Sequence, residues 1–390
     1  MYPDVVIIGG GIVGCSCAYY LSREGLKVHL LEKGALGSGA SKAGQSHIVT
    51  WEEPEIHLRL SNASKQLYEV LSEELPIDIE FETCGSIALF EHLESFQAYE
   101  ETADRLRAWG VSCEMVDADE LIRIEPTVAP DIAGGTIFPG DCQANPLYTT
   151  IALARVAEDQ GAVVETSAEV TGIELSSGGG RVEAVRTAAK RIPTGCVVNA
   201  AGAWSGQIGE MVGLNVPVTP RKGHLVVTVP VPQDLFTHKV VLAASYMDSL
   251  KEGLDVALAA NVQQMQNGNL LLGSSRQFTG FDRSVEPKVI GLMVARCLRF
   301  FPSLAGIHAI RTWAGLRPYT PDLLPIIGPV EELEGFYMAA GHEGIGVTEG
   351  PITGKLISQM LTGADLDVPV DELSLSRFFS NGTAGDTSAP

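Results

Sequence analysis

An α/β nucleotide-binding domain joined to a mainly antiparallel β domain is the fold class that this 390-residue chain predicts. Three observations carry it. Residues 5–32 read as an apolar strand, a glycine turn, a helix and a second apolar strand closed by an acid. A β-hairpin at 170–187 stands where a second crossover helix would continue a doubled βαβ unit. Between about 220 and 310 the pattern shifts to long strands, with Asn267-Gly268 as a hairpin turn.

The first unit is complete in itself. Val5-Val6-Ile7-Ile8 is followed by Gly9-Gly10-Gly11-Ile12-Val13-Gly14, a helix-like stretch to Gly25, and then Lys27-Val28-His29-Leu30-Leu31-Glu32. In this G-x-G-x-x-G frame Gly9 permits the tight turn, Gly11 lets the backbone approach a pyrophosphate, and Gly14 lets helix and strand pack closely. Ile12 and Val13 open the helix, whose unpaired N–H groups face the anion. Glu32, with Lys33 beside it, is placed to take a ribose hydroxyl. The motif establishes a dinucleotide site and leaves NAD and FAD open.

Acidic residues outnumber basic ones 48 to 27, and the formal charge of −21 repels nucleic acid and anionic membranes. An anionic substrate therefore needs a local basic group. Seven cysteines, at 15, 17, 84, 113, 142, 196 and 297, show no disulfide-scaffold spacing, and the eight histidines show no metal-ligand spacing. No metal is expected. The apolar N-terminus lacks a basic region ahead of it, and no uncharged run reaches the roughly 20 residues of a membrane helix. The expected setting is a reducing cytoplasm.

Further along, the small-residue loop Gly34 to Gly44, with Ser41 and Lys42 in it and Gln45 after it, suits wrapping a phosphate or serving as a flexible connector. A helix follows at 55–75, a strand at 84–90 and a polar helix at 91–109. A helix from Pro146 to Gln160 leads into a third parallel strand at 162–165. The hairpin pairs Val170 to Leu175 with Arg181 to Thr187 across Gly178-Gly179-Gly180, and such an antiparallel crossover favours an FAD-type domain. Cys196 to Asn199 is a further strand, ending in the turn Ala200-Ala201-Gly202. Glu286-Pro287 starts a helix running to about Phe300. The expected nucleotide domain is discontinuous, over 1–80, 146–220 and 311–379. The substrate domain takes 81–145 and 221–310, and the polar tail 380–390 frays.

Two C-terminal blocks, Trp313 to Gly328 and Ala339 to Gly354, contain Arg317-Pro318-Tyr319-Thr320-Pro321-Asp322 and Gly341-His342-Glu343-Gly344-Ile345-Gly346-Val347-Thr348. With the first unit, Asn145-Pro146 and Val198 to Trp204, they resemble the D-amino-acid oxidase superfamily of FAD-dependent oxidoreductases. The flavour is closest to glycine oxidase and the flavin subunits of hydroxyproline and proline dehydrogenases. The resemblance implies FAD and oxidation of the C–N bond of a small amino or imino acid by hydride transfer from Cα to flavin N5. It also implies that Arg317 holds the substrate carboxylate, a role a guanidinium fork suits, although an interdomain ion pair is the other reading of that arginine. The electron acceptor is oxygen, a quinone or a partner subunit, and homo- or hetero-oligomers are compatible with the family. A 2-hydroxy-acid dehydrogenase and a flavin-binding subunit of a larger complex are the alternatives.

By similarity the Gly341 to Thr348 loop lies along the flavin and opens a helix whose positive end stabilises negative charge on the ring. His342 and Glu343 are either acid–base groups or structural ones. Some relatives attach flavin covalently through a histidine at the place of Lys42 or a cysteine near Gly315, so FAD is expected to bind noncovalently here. His47 is a substrate-pocket candidate or an ordinary loop histidine. Tyr246 and Gln263 face substrate or pack within the sheet. Gly350 to Lys355 has a P-loop look but fails its spacing.

Overall fold

The computed structural model describes residues 2–243 and 256–379; Tyr246 and the 380–390 tail lie outside them. The chain opens with β1 (Val5–Ile8), α1 (Ile12–Arg23), β2 (Val28–Leu31), β3 (His47–Ile48), α2 (Glu55–Glu74), β4 (Glu82–Thr83) and β5 (Ser86–Phe90). Next come α3 (Leu93–Ala98), α4 (Glu100–Ala108), β6 (Glu114–Asp117), α5 (Ala118–Ile124), β7 (Gly134–Phe138) and β8 (Cys142–Gln143). Helix α6 (Pro146–Asp159) and β9 (Val163–Glu165) precede β10 (Val170–Leu175), β11 (Val182–Thr187), β12 (Arg191–Pro193), β13 (Val197–Asn199) and α7 (Ser205–Glu210). The last part holds β14 (Thr219–Pro230), β15 (Val240–Ala243), β16 (Ala257–Gln264), β17 (Asn269–Arg276) and α8 (Pro287–Phe300). It ends with β18 (Ala309–Tyr319), β19 (Ile326–Pro329), β20 (Phe336–Ala340) and α9 (Gly346–Thr362).

The nucleotide sheet has the order β19-β20-β13-β1-β2-β9. Strands β20, β13, β1, β2 and β9 pair in parallel, and β19 is antiparallel at the edge. Strand β1 is apolar throughout because both its faces are covered. Val5 and Ile7 pack towards α1, α6 and α9, whereas Val6 and Ile8 pack towards Val170, Val182 and Val185 of the small sheet β10-β11-β12. Period-two alternation thus divides one strand between two cores, each buried aliphatic contributing about 1.5–3 kcal/mol. Helix α9 crosses α1 closely because Gly354 has no side chain: a Cβ there would lie 2.4 Å from the Ser16 carbonyl carbon. That contact is the use to which the P-loop look-alike is put.

The second sheet has eight strands in the order β18-β14-β17-β16-β15-β5-β7-β6, antiparallel except where β15 meets β5. Helix α8 covers one face, turning Val289, Met293, Cys297 and Phe300 onto Val226, Val262, Leu270 and Leu272, the spacing of one helical stripe. Two expectations change. The polar helix of 91–109 is two helices that break at Tyr99. The expected boundary at 311 falls inside β18, which pairs with β14 from Ala309 to Tyr319. The chain leaves this sheet only at Thr320-Pro321, where proline cannot extend the ladder.

All seven cysteines are free. Among the described residues no group of acidic, histidine or cysteine side chains is arranged to hold a metal, and no helix is long and apolar enough to cross a membrane.

Candidate active site

One cavity of about 380 Å³ runs from the β1–α1 turn to the face of β14 and β18. Its nucleotide end is built of backbone. Gly9 has φ +114°, and a Cβ there would sit 2.3 Å from the Ala200 oxygen; one on Gly14 would sit 1.9 Å from the Gly9 oxygen. Turn, helix and β13 therefore touch main chain to main chain, which only glycine permits. Gly14 itself is off the cavity wall, while Gly9, Gly11, Ile12 and Val13 are on it. The Ile12 N–H donates to Ser41 Oγ at 2.9 Å, tying the small-residue loop to the start of α1. Glu32 accepts from Gly10 N at 2.7 Å and from Gly34 N at 2.6 Å, so its carboxylate braces the two turns that flank it. Val170, Ala200, Ala201, Gly202 and Trp204 complete this end, with Lys33 Nζ 3.6 Å from the centre of the Trp204 indole.

In the middle, Ser38 to Ser41 and Ala43 to Gln45 line the cavity, but Lys42 is exposed and does not. The position nearest the cysteine of covalently linked relatives is Gly315, where a Cβ would come 2.5 Å from Ala43 Cβ. Gly344, Gly346 and Val347 line the wall; Gly341, Ile345 and Thr348 lie behind it. Gly341 (φ +87°) turns the chain against Thr320, and Thr348 Oγ1 donates to the His47 carbonyl at 3.1 Å. The first turn of α9 has no side-chain cap at Ile345. Two helices, α1 and α9, thus bring open N-termini to a single glycine-walled cavity, which fits an anionic dinucleotide with a ring system at its far end.

At the substrate end, side chains replace backbone. The Arg317 guanidinium lies over Gly223, whose missing Cβ would otherwise meet its Nη1 at 2.0 Å, and that Nη1 donates to the Ser275 carbonyl at 3.0 Å. Beside it Glu343 reaches Arg221 at 3.4 Å and Arg276 at 3.6 Å. Burial pushes the Glu343 carboxyl up, but Arg276, Arg317 and Arg221 together hold it below its ordinary value. His342 is buried, bonded through Nε2 to Thr353 Oγ1 at 2.9 Å, and burial pushes its imidazole down to about 3. It is neutral near pH 7. His47 is not on the cavity wall: its strand β3 pairs with β8, and burial takes its ring to about 3 as well. Gln263 also lies elsewhere, accepting from Ser46 N and donating to Gln143.

A family profile for FAD-dependent oxidoreductases of the DAO type matches residues 4–360. The chain belongs to the DAO family of FAD-dependent oxidoreductases. It is 30% identical to hydrogen cyanide synthase subunit HcnC of Pseudomonas aeruginosa, covering 96% of each chain. It is also 30% identical to glycine oxidase of Geobacillus kaustophilus, covering 96% of this chain and 97% of that one. The crystal structure of the Geobacillus enzyme superposes with a TM-score of 0.88 over 97% of this chain and 99% of its own. L-proline dehydrogenase from P. horikoshii superposes with 0.87, at 27% identity and over 97% and 98%. As a member of this family the chain is an FAD-dependent enzyme.

Several residues at or near the cavity, one of them on its wall, escape a reading by motif. Arg283 lines the cavity from the loop after β17, and that loop is pinned by the fully buried Lys222 Nζ, 3.0 Å from Asp282 and 2.5 Å from Glu286. Arg221 and Arg276 carry no motif. The basic run Arg221-Lys222, in so acidic a chain, signals the first of them, and Arg276 stands in no such run.

Proposed function

We propose that this enzyme oxidises the C–N bond of a small amino or imino acid whose carboxylate is held by Arg317. The observation that carries the reading is the position of that guanidinium: on the cavity wall, fixed by the Ser275 carbonyl, beside the Gly344 backbone. A bidentate clamp there presents the substrate Cα to the ring site and excludes its rotation. FAD, when bound, supplies the acceptor at N5 for the hydride leaving Cα, the amine becoming an imine that water then hydrolyses.

Proton handling by the chain is sparse. His342 is held neutral by burial and already engaged with Thr353, and Glu343 is kept ionised by arginines, which makes it a weak base. The amine must then arrive unprotonated, and kcat/KM is expected to rise with pH up to the substrate's own amine pKa. The likeness to a hydrogen cyanide synthase subunit supports assembly with a partner chain. The test of the reading is anaerobic bleaching of the bound flavin by glycine, sarcosine, proline, hydroxyproline and D-amino acids, with lactate and glycolate as the hydroxy-acid arm. Bleaching by the hydroxy acids alone overturns it.

A further inference from the structure

The loop between β17 and α8, residues 277–286, grows from the eight-stranded sheet but reaches the nucleotide end of the cavity. Lys222 of β14 pins it at three points. Its main chain pairs with Gln277 in both directions, at 2.8 and 3.0 Å, and its fully buried Nζ holds Asp282 at 3.0 Å and Glu286 at 2.5 Å. Asp282 also accepts from the Ser284 N–H at 2.8 Å and from the Ser284 hydroxyl at 2.7 Å. The backbone is thus fixed on both sides of Arg283.

From this frame two side chains cross to the nucleotide sheet. Phe281 stacks on Trp204, with ring centres 5.6 Å apart and planes 26° apart. Trp204 carries Lys33 Nζ over its ring and lies 3.7 Å from a Cβ built on Gly39, in the small-residue loop that Ser41 ties to the start of α1. Arg283, two residues after Phe281, lines the cavity with Lys33, Gly39 and Trp204. It is a neighbour of Lys33: partial burial pushes the Lys33 ammonium below its ordinary value, Glu169 and Glu32 draw it up, and Arg283 pushes it down.

Of the two carboxylates near these cations, Glu32 is engaged by the Gly10 and Gly34 N–H groups, and Glu169 stands on the wall near Lys33. Arg283 has no hydrogen bond or ion pair among the described residues. A guanidinium held beside an ammonium is repelled by it, and here its donors find no acceptor in the chain. An anion in the cavity supplies both the acceptor and the opposite charge. The diphosphate of a dinucleotide carries a negative charge on each phosphate, and the open N-terminus of α1 answers it with only about half an elementary charge.

We propose that Arg283 is a cofactor ligand: its guanidinium holds the diphosphate of FAD, so that a loop of the eight-stranded sheet closes the nucleotide site. The inference rests on this cavity holding FAD and does not depend on which substrate is oxidised.

The test is the rate at which diluted holoenzyme releases FAD, read from the return of flavin fluorescence and needing no turnover. Arg283→Gln is expected to release FAD about tenfold faster, Arg283→Lys to recover part of the difference and Arg283→Tyr none of it. Salt should speed release from the wild type more than from Arg283→Gln. Phe281→Ala should speed release too, and the double variant should fall short of the product of the two effects, because the ring acts by seating the guanidinium. Both side chains are exposed, so neither change threatens the fold. Release from Arg283→Gln at the wild-type rate, with Gly14→Ala losing its FAD, overturns the role of Arg283 and leaves the FAD site standing. Slow release restored by Arg283→Tyr overturns the diphosphate contact in favour of stacking on the adenine. If neither Gly14→Ala nor Arg283→Gln changes FAD retention, the cavity is not the FAD site and both readings fall.

Discussion

At the nucleotide end of the cavity the wall is largely main chain, with Gly9 pressed between the Ala200 backbone and Gly14 behind the wall, and one carboxylate, Glu32, bracing two turns. At the substrate end it is guanidinium and carboxylate, contributed by β14, β17, β18 and the loop before α9. The first end is specified mostly by the absence of side chains within about 30 residues of sequence, with the turn at Ala200 packed against them; the second by charged side chains drawn from segments about 120 residues apart. An added methyl group should therefore damage one end, and a removed charge the other.

The largest effect is expected for Gly14→Ala, whose new Cβ would lie 1.9 Å from the Gly9 oxygen. Backbone must move, and we expect a loss of about 3 kcal/mol of stability together with loss of FAD, read from thermal melting and the visible-to-protein absorbance ratio. A yellow, normally stable variant breaks the comparison. Arg317→Ala should keep its FAD and lose about 100-fold in kcat/KM for carboxylate substrates, through the loss of a charged, partly desolvated contact. Unchanged kinetics would remove the carboxylate clamp from the site.

Glu343→Gln probes the charge balance by its pH dependence. The folded carboxyl is held below its ordinary 4.5, so its contribution is present above pH 4.5 and is lost as pH falls through the lower folded value. We expect the wild type to exceed the variant by about 1 kcal/mol near neutrality and the gap to close in acid. A gap that widens in acid reverses the sign and with it the role of the arginines. The smallest effect is expected for Lys42→Ala. That residue is exposed and off the wall, so FAD content should not change, and acid precipitation of either protein should release all its flavin to the supernatant.

Residues 5–32 were legible because turn, helix start and acid are neighbours in sequence and each obeys a local rule. The hairpin of β10 and β11, the helix α8 opened by Pro287 and the arginine at 317 were legible for the same reason or by family pattern. The roles of His47, Gln263 and Lys42 were not, because a loop or short strand does not reveal which way a side chain turns. His47 faces inward behind the wall once β3 pairs with β8, and Lys42 turns out to solvent.

By itself the sequence determined the nucleotide unit, the family and the alternation that lets β1 serve two cores. Tertiary structure alone decided where β18 belongs, which side chains meet Glu343, and that Arg221 faces Arg317 across a ladder. The physical reason is register. Pairing between distant strands is set by the sum of weak contacts along their whole length, and a slip of one residue would turn these arginines to the other face of the sheet.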